Sequence, residues 1–286
     1  MKVVHTSAVL KHALAAHNKV AFVPTMGNFH DGHLTLVELA KQQADCVVVS
    51  IFVNPLQFDS SADLEQYPRT LEADCKKLEA IGATIVFAPS VEEMYPDFDG
   101  TSLNQTMIIT PPPMASILCG ASRPGHFSGV ATIVAKLFNL VQPDVAVFGK
   151  KDFQQLSIIC ELVKQFNFAI KIVAGDIVRE ASGLAMSSRN GHFTAQQKTQ
   201  AEQLNQALKS AIAGAQTTPT TFMNIEKQTT EALTKQGWEV DYISIRSALT
   251  LKPALEDDEQ LVILGAATLA NIRLIDNIEF CAKPLN

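Results

Sequence analysis

Hydrophobic residues in this chain form short runs with few polar interruptions, separated by segments with helical spacing. The runs without internal alternation lie at residues 20–23, 46–53, 83–89 and 143–148. Strands that are buried on both faces of a parallel sheet have this pattern. Segments 7–17 and 34–40 instead carry apolar residues at helical spacing. The succession of the two patterns predicts an α/β fold built on a parallel sheet.

The remaining segments complete a longer α/β part and a shorter part of different composition. Residues 60–81 are predicted to be helical with a break at Pro68, because proline interrupts a helix. Short strands are predicted at 106–109, 169–173 and 176–179, and a helix is predicted to run through Val141. Beyond residue 190, Gln/Thr/Ala-rich helices are predicted at 195–214 and 219–236, followed by strands at 239–246, 260–267 and 270–275.

Composition excludes several classes of protein. The 286 residues, 47% of them apolar, can bury a substantial core. The 23 basic and 29 acidic residues leave a formal net charge of −6, without a basic stripe that would neutralise a nucleic-acid backbone. No apolar segment approaches the ~20 residues that span a bilayer, and no secretory leader is evident. We therefore expect a cytoplasmic globular protein that binds neither nucleic acid nor a membrane.

The five cysteines are odd in number and widely spread, at positions 46, 75, 119, 160 and 281. The sequence contains no C-x-x-C pair of the kind that binds zinc or acts as a redox centre. Reduced thiols packed in the core are the expected state, because free cysteine is usually buried.

Polar residues and glycines cluster where the first buried strand ends, at residues 24–33, which read Pro-Thr-Met-Gly-Asn-Phe-His-Asp-Gly-His. In a parallel sheet such a loop faces the ligand crevice, and the N–H groups at the start of the following helix attract anions. Gly27 and Gly32 allow close backbone approach, while His30 and His33 are spaced to face one phosphate. Two ordinary surface histidines are the alternative. A closed zinc site would need further ligands, and none is clustered nearby.

This segment resembles the H-x-G-H signature of the adenylyl-transferring α/β superfamily. Its longer form, residues 24–33, is similar to the signature of the pantothenate synthetase (pantoate–β-alanine ligase) family. Many nucleotidyltransferases share the short signature, whereas the longer block is much more specific. The resemblance covers nearly the whole chain and is dense between residues 22 and 190. It implies a Rossmann-like doubly wound parallel sheet with a smaller C-terminal α+β lid domain.

Residues 54–58, Asn-Pro-Leu-Gln-Phe, follow the second buried run and offer uncharged amides that suit a small hydroxy acid. From the residues alone, side chains that make ordinary turn contacts are the alternative. The resemblance implies that Asn54 and Gln57 contact pantoate, with Gln57 also near β-alanine. The block at 120–130, whose arginine and histidine could receive a carboxylate, also matches the family and is given a secondary role near the substrate pocket.

Residues 149–155, Gly-Lys-Lys-Asp-Phe-Gln-Gln, open another predicted helix. Lysines at a helix start oppose the helix dipole, which indicates that they bind an anionic ligand such as the phosphates of ATP. The family commonly has glutamate where this chain has Lys150. The resemblance assigns Lys151 and Asp152 to ATP and Gln155 to pantoate.

A Ser-Ser-Arg run at 187–189 places two hydroxyls and a guanidinium on one loop, which suits the β- and γ-phosphates of ATP. Most isolated runs of this kind are solvated loops. Combined with the histidine motif, this run resembles the second, mobile phosphate-binding motif of the superfamily. The predicted ATP-binding residues are Met26, Gly27, Asn28, Phe29, His30, Asp31, Gly32, His33, Gly149, Lys150, Lys151, Asp152, Val178, Met186, Ser187, Ser188 and Arg189. The predicted catalytic residues are His30, His33 and Lys151.

The chain is predicted to have two domains, residues 1–175, which bind ATP and pantoate, and residues 176–286, which form a lid. The resemblance implies a reaction in two steps. Pantoate attacks the α-phosphorus of ATP, giving a pantoyl adenylate and pyrophosphate, and β-alanine then displaces AMP. Magnesium is expected as the partner of ATP. No protein ligand of magnesium is assigned, because Asp74 matches one half of an acidic pair near the metal in the family while position 73 is alanine. A homodimer is also expected from the family.

Two other functions fit part of the pattern. An adenylyltransferase that joins AMP to a phosphorylated acceptor would share both phosphate motifs, although the uncharged amides at 54, 57 and 155 argue against a second phosphate. A nucleotide-binding regulatory module without turnover is the other alternative. The presence of both phosphate motifs together with the acceptor amides argues against it.

Overall fold

The computed structural model describes residues 1–58, 61–217, 221–255 and 257–281. The chain forms two compact units. The first contains Met1–Lys150 and Ile158–Asp176, and the second contains Lys151–Ser157 and Ile177–Asn286. The adjacent residues Lys150 and Lys151 belong to different units. The chain returns to the first unit between Ser157 and Ile158, within helix Phe153–Gln165.

The first unit is built on a six-stranded parallel sheet. Its strands are β1 (Lys2–Val4), β2 (Val20–Thr25), β3 (Cys46–Ile51), β4 (Ile85–Phe87), β5 (Val145–Gly149) and β6 (Lys171–Gly175). Their spatial order is β1-β4-β3-β2-β5-β6, so the chain changes direction across the sheet between β2 and β5. Ligands of open α/β sheets bind beyond the carboxyl ends of strands at such a reversal. The predicted doubly wound parallel sheet is confirmed.

Helices cover both faces of this sheet. The helices in this part of the chain are α1 (Ser7–Leu14), α2 (Asp31–Lys41), α3 (Ser61–Gln66), α4 (Leu71–Ala80), α5 (Val91–Met94), α6 (Cys119–Ser122), α7 (His126–Val141) and α8 (Phe153–Gln165). On one face, Val37 of α2 and Leu78 of α4 belong to a core cluster with strand residues such as Val49. On the other face, Phe138 of α7 makes edge contacts with Phe22 and Phe148. Alternate residues of each strand therefore face different helices, which explains why the strands are apolar throughout.

The second unit contains a three-stranded antiparallel sheet, in the order β7 (Glu239–Ser247), β8 (Gln260–Leu269) and β9 (Ile272–Cys281). Its helices are α9 (Ala195–Ala201), α10 (Gln203–Thr217) and α11 (Phe222–Lys235). Leu208, Leu233, Trp238 and Ile263 lie in one buried cluster that joins the helices to the sheet. The predicted smaller α+β part is confirmed.

The structure differs from the predicted elements in several places, and the predicted helix at 195–214 is divided into Ala195–Ala201 and Gln203–Thr217. Strand β1 precedes the first helix and was not predicted, because it is an edge strand that begins with a lysine and buries only Val4. Residues 106–109 are not a strand; Ile109 donates its N–H to the Thr132 hydroxyl, and Met107 is 81% exposed. Residues 176–179 contribute only an isolated bridge, from Arg179 to Ala185.

The predicted helix break at Pro68 is confirmed, since α3 ends at Gln66 and α4 begins at Leu71. Two predicted helix starts, at residues 60 and 219, lie outside the described residues.

All five cysteines, which lie within the described ranges, are free thiols. Cys46 is buried, and burial, aided by the charge of Asp45, raises the pKa of its thiol to about 11. Cys160 is exposed, so the expectation of core thiols is wrong there. None of the helices in the described ranges has the length and hydrophobicity that a bilayer crossing requires.

Candidate functional site

The loop that follows β2 turns sharply through two residues in the left-handed region. Gly27 has φ of 84° and Asn28 has φ of 54°. A Cβ atom on Gly27 would lie 3.0 Å from both the Oδ2 atom of Asp74 and the Cγ2 atom of Ile51. The conformation and the close approach both require glycine at this position.

A buried carboxylate holds this loop. Asp74, which is 1% exposed, accepts the N–H of Asn28 at 2.8 Å, the N–H of Phe29 at 2.9 Å and the hydroxyl of Thr70 at 2.8 Å. Lys77 donates to the Phe29 carbonyl at 2.6 Å. Both oxygens of Asp74 are therefore used by donors of the protein itself.

Asp74 entered the sequence-based prediction only through the family's metal site, and its contact with the loop was missed. The available signal was an acidic residue on the buried face of a helix, one turn before a buried leucine; Asp74 and Leu78 are the two buried residues of α4. An acid in such a position needs donors to compensate for its burial.

The two histidines of the motif stack at the start of α2. Their ring centroids are 4.1 Å apart, and Phe29 contacts His33 edge-on at 5.3 Å. His30 is the N-cap, and its Nδ1 accepts the N–H of Gly32 at 3.1 Å. The Nδ1 of His33 accepts the N–H of His30 at 3.4 Å. An imidazole that accepts at Nδ1 carries its proton on Nε2 when the ring is neutral, so each ring can then donate from Nε2.

The amide side chains at the end of β3 form a network around Gln57. The Nδ2 atom of Asn54 donates to the Gln57 side-chain oxygen at 3.0 Å and to the Gly129 carbonyl at 3.2 Å. The Tyr95 hydroxyl donates to Asn54 Oδ1 at 2.5 Å. Gln57 in turn donates its Nε2–H to the sulfur of Met26 at 3.3 Å. Asn54 is 1% exposed, which favours a role in which it orients Gln57.

Tyr95 was also missed, because it stands outside the motifs found in the sequence. The side chain is fully buried, with Phe52 6.2 Å from its ring and the Lys136 ammonium 4.7 Å from the ring centroid. Burial raises the pKa of Tyr95 well above its ordinary value. The hydroxyl therefore remains protonated and can donate to Asn54.

The block at 120–130 fixes the backbone of Gln57. The Arg123 guanidinium donates to the Gln57 carbonyl at 3.2 Å, and the His126 Nδ1 lies 2.8 Å from the same oxygen. Gly129 lets α7 pack directly on this turn, because a Cβ there would collide with the Leu56 carbonyl. This block thus supports the amide cluster from behind, and its secondary role near the substrate pocket stays a prediction.

The two lysines after β5 have different surroundings. Lys150, in the first unit, forms an ion pair with Asp176 at 3.0 Å. Lys151, in the second unit, lines one cleft with Ser187 and Arg189. The second unit thus brings together a predicted catalytic lysine and the predicted phosphate loop. Gln155, in the same short segment as Lys151, is half-buried in the first turn of α8.

The 187–189 loop is held by its own backbone and by Asn190. The N–H of Met186 donates to the Val178 carbonyl at 3.0 Å, and the Ser187 hydroxyl accepts the N–H of Arg189 at 3.2 Å. Asn190 is 7% exposed and donates to the Ala185 carbonyl at 3.0 Å. Arg189 itself is exposed, as a guanidinium that binds a ligand would be.

Within the described parts of the chain, no group of three or more His, Cys, Asp or Glu side chains is arranged to hold a metal ion. Asp74, which the family resemblance connected with magnesium, has both oxygens engaged by protein donors. The described residues therefore do not form a ready magnesium site.

Comparison with known proteins places these motifs in a family. A family model described as pantoate-beta-alanine ligase matches residues 2–279. A pantothenate synthetase of Methylobacillus flagellatus is 58% identical over 280 residues, which cover 98% of this chain and 99% of that protein.

Solved structures agree with this result. The chain resembles the crystal structure of pantothenate synthetase from Thermus thermophilus with a TM-score of 0.90 and 39% identity, covering 99% of this chain and 100% of that one. It also resembles a pantoate-beta-alanine ligase from Francisella tularensis complexed with beta-gamma ATP and beta-alanine, with a TM-score of 0.79 and 32% identity. That match covers 99% of this chain and 98% of the other.

Proposed function

Because the chain belongs to the pantoate–β-alanine ligase family, we propose that it joins pantoate to β-alanine through a pantoyl adenylate, with release of AMP and pyrophosphate. The observation that carries this proposal is the histidine pair beyond the carboxyl end of β2: His30 and His33 both accept backbone N–H groups at Nδ1, the arrangement in which a neutral ring donates from Nε2. The complex of a relative with beta-gamma ATP and beta-alanine supports the assignment of two of the three substrates.

In the first step the pantoate carboxylate attacks the α-phosphorus of ATP. Negative charge builds on the phosphate oxygens as the five-coordinate state forms, and the Nε2–H groups of His30 and His33 stabilise it by hydrogen bonding. The Asp74-held loop fixes where these donors point, because it contributes the residues that directly precede His30. No protein nucleophile is needed, so alignment and charge stabilisation supply the rate.

The departing pyrophosphate requires cations. Lys151 and Arg189, which line the same cleft of the second unit as Ser187, are assigned to its oxygens. A guanidinium can bind two phosphate oxygens at once, whereas an ammonium acts as a compact charge. The hydroxyls of Ser187 and Ser188 are assigned to the β- and γ-phosphates, and the remaining predicted residues of both phosphate motifs are assigned to the nucleotide.

Pantoate is assigned to the uncharged amides of Gln57 and Gln155. Neutral amides hold a hydroxy acid without exchanging protons with it, which leaves the carboxylate ionised for attack. Asn54 then contributes by orienting Gln57, since its own amide is occupied by protein partners.

In the second step the amine of β-alanine attacks the mixed anhydride and AMP leaves. Magnesium is expected to enter with ATP, and we derive no step through a protein-bound metal. The homodimer, the cytoplasmic location and the role of the second unit as a lid remain predictions.

An isotope-exchange assay tests this function. ATP–pyrophosphate exchange should depend on pantoate, and AMP release should then require β-alanine. Exchange that requires a phosphorylated acceptor would instead indicate an adenylyltransferase. Absence of exchange with any acceptor would contradict both enzymatic functions and favour a binding module.

Tyr95→Phe tests the amide network. Loss of the hydroxyl removes one partner of Asn54 and should lower the free energy of unfolding by about 1 kcal/mol. Because Gln57 is then less firmly oriented, the KM for pantoate in the exchange assay should rise about fivefold, with little change in the KM for ATP. Tyr242→Phe, in β7 of the second unit, is the matched control. A pantoate KM equal to that of the control would remove Tyr95 from the network.

A further inference from the structure

A buried asparagine of β9 holds the backbone of Lys151. The Asn277 side chain is 3% exposed and donates its Nδ2–H to the Lys151 carbonyl at 3.0 Å. The two residues are 126 positions apart in the sequence. This contact helps to explain why Lys151–Ser157 groups with the second unit and not with the strand that precedes it.

The neighbouring Asp276 fixes a second element. Its carboxylate accepts hydrogen bonds from both terminal nitrogens of Arg179, at 2.8 and 2.9 Å, and from the side-chain amide of Asn205, at 2.9 Å. It also accepts the N–H of Asn277 at 2.8 Å. Asp276 is 4% exposed, so its charge depends on these donors for compensation.

Arg179 contacts the residues that precede the 187–189 loop. It donates to the Gly183 carbonyl at 3.0 Å and forms the isolated bridge with Ala185. Ala185 in turn accepts the amide of Asn190, the residue that directly follows the Ser187–Arg189 run. A continuous set of contacts within the second unit therefore connects Asp276 with the predicted pyrophosphate-binding loop.

Strand geometry explains why two adjacent residues can serve two elements. Successive side chains of a strand point to opposite faces, so Asp276 and Asn277 extend in opposite directions from β9. One reaches Arg179 and the other reaches Lys151. The cleft lined by Lys151, Ser187 and Arg189 also includes Asp276.

We propose that Asp276 and Asn277 are positioning residues that tie Lys151 and the 187–189 loop to one strand, and so fix the spacing of the cations that bind pyrophosphate. The proposal rests on the pyrophosphate-binding role proposed above for Lys151. Anchoring the backbone of the lysine matters because a flexible side chain on a loose turn must lose additional conformational entropy when it binds phosphate. A displacement of about 1 Å in such a contact can cost on the order of 100-fold in rate.

Asn277→Asp tests this directly, because it keeps the size of the side chain and replaces the donor to Lys151 with an oxygen. Pantoate-dependent ATP–pyrophosphate exchange should fall about 10- to 100-fold. Affinity for ATP should weaken, whereas affinity for AMP, which lacks the β- and γ-phosphates, should not change. Gln200→Glu is the matched control, since Gln200 also donates its side-chain amide to a backbone carbonyl in the same unit, that of Gln236 at 3.0 Å.

Asn277→Ala provides a second variant that removes the donor without introducing a buried charge. If both Asn277 variants retain the exchange rate and the ATP-to-AMP affinity ratio of the Gln200→Glu control, the proposal is overturned. Equal losses of ATP and AMP affinity would also overturn it, because they would indicate a general structural defect.

A double-mutant cycle with Lys151→Ala separates this inference from the proposed function. If Asn277 acts through the ammonium of Lys151, Asn277→Ala should cost little further activity in the Lys151→Ala background. Losses that multiply would overturn the inference alone. A Lys151→Ala variant with the normal exchange rate would instead contradict the proposed role of Lys151 itself.

Discussion

His33→Ala is expected to lower the rate of adenylate formation by about 100-fold or more, which corresponds to about 3 kcal/mol in the barrier. The substitution removes an Nε2–H donor proposed to bind the α-phosphate as its charge increases. Stability should change by less than about 1 kcal/mol, because the contact of His33 with the His30 backbone is long, at 3.4 Å. Single-turnover formation of the adenylate with saturating ATP and pantoate measures the effect.

The control for this experiment is His12→Ala, which removes an exposed imidazole from α1. This variant should retain the normal rate and stability. A His33→Ala enzyme that forms the adenylate as fast as the His12→Ala enzyme would exclude His33 from the chemical step. A large loss of stability in His33→Ala would show that its main role is to cap the helix.

Asp74→Asn is expected to have the second large effect, on both stability and rate. The new NH2 group faces one of the donors that the carboxylate now accepts, namely Asn28 N–H, Phe29 N–H or the Thr70 hydroxyl. We expect the free energy of unfolding to fall by about 2–3 kcal/mol, the cost of a mispaired buried donor. Exchange activity should fall about 10- to 100-fold, because the loop before His30 loses its anchor.

Glu72→Gln is the matched control, since Glu72 is an exposed acid on the same helix that pairs with Lys76 at 2.7 Å. Surface pairs of this kind contribute less than about 1 kcal/mol. The free energy of unfolding of Glu72→Gln, measured by chemical denaturation, and its rate in the exchange assay should therefore be close to those of the unmodified protein. If Asp74→Asn were equally stable and active, the loop would not depend on this carboxylate.

The magnesium dependence of Asp74→Asn adds a separate test. If Asp74 only holds the loop, the magnesium concentration needed for half-maximal exchange should be unchanged while the maximal rate falls. A direct ligand of the metal would instead shift the magnesium requirement by a large factor. This measurement distinguishes the hydrogen bonds of the structure from the metal contact suggested by the family.

The hydrophobic pattern predicted the larger elements because it has a period that a strand or helix imposes on its own residues. Strands β2 to β5 are apolar runs that are buried on both faces, and α7 has an apolar stripe that packs on the sheet. Strand β1, at the edge of the sheet, buries only Val4 and therefore shows no apolar run. Residues 106–109 show the converse, an apolar run that pairs with no strand of the described chain.

The candidate site likewise contains residues that the sequence could identify and residues that it could not. The histidine loop, the amides at 54 and 57 and the 187–189 run could be selected as candidates from the sequence, because each is a contiguous motif. The residues that hold these motifs could not, because they lie far away in sequence: Asp74 is 46 positions from Asn28, and Tyr95 is 41 positions from Asn54. Such partners leave no local periodicity.

The sequence by itself therefore determined the α/β architecture, the family resemblance and the chemical groups available to bind a nucleotide and a small acid. Only the tertiary structure decided which buried side chains orient those groups. It also decided that Lys151 belongs with β9 and not with the strand that precedes it in the chain. The physical reason is that a buried polar group must find its partner wherever folding brings one, and that partner is set by packing in three dimensions and not by distance along the chain.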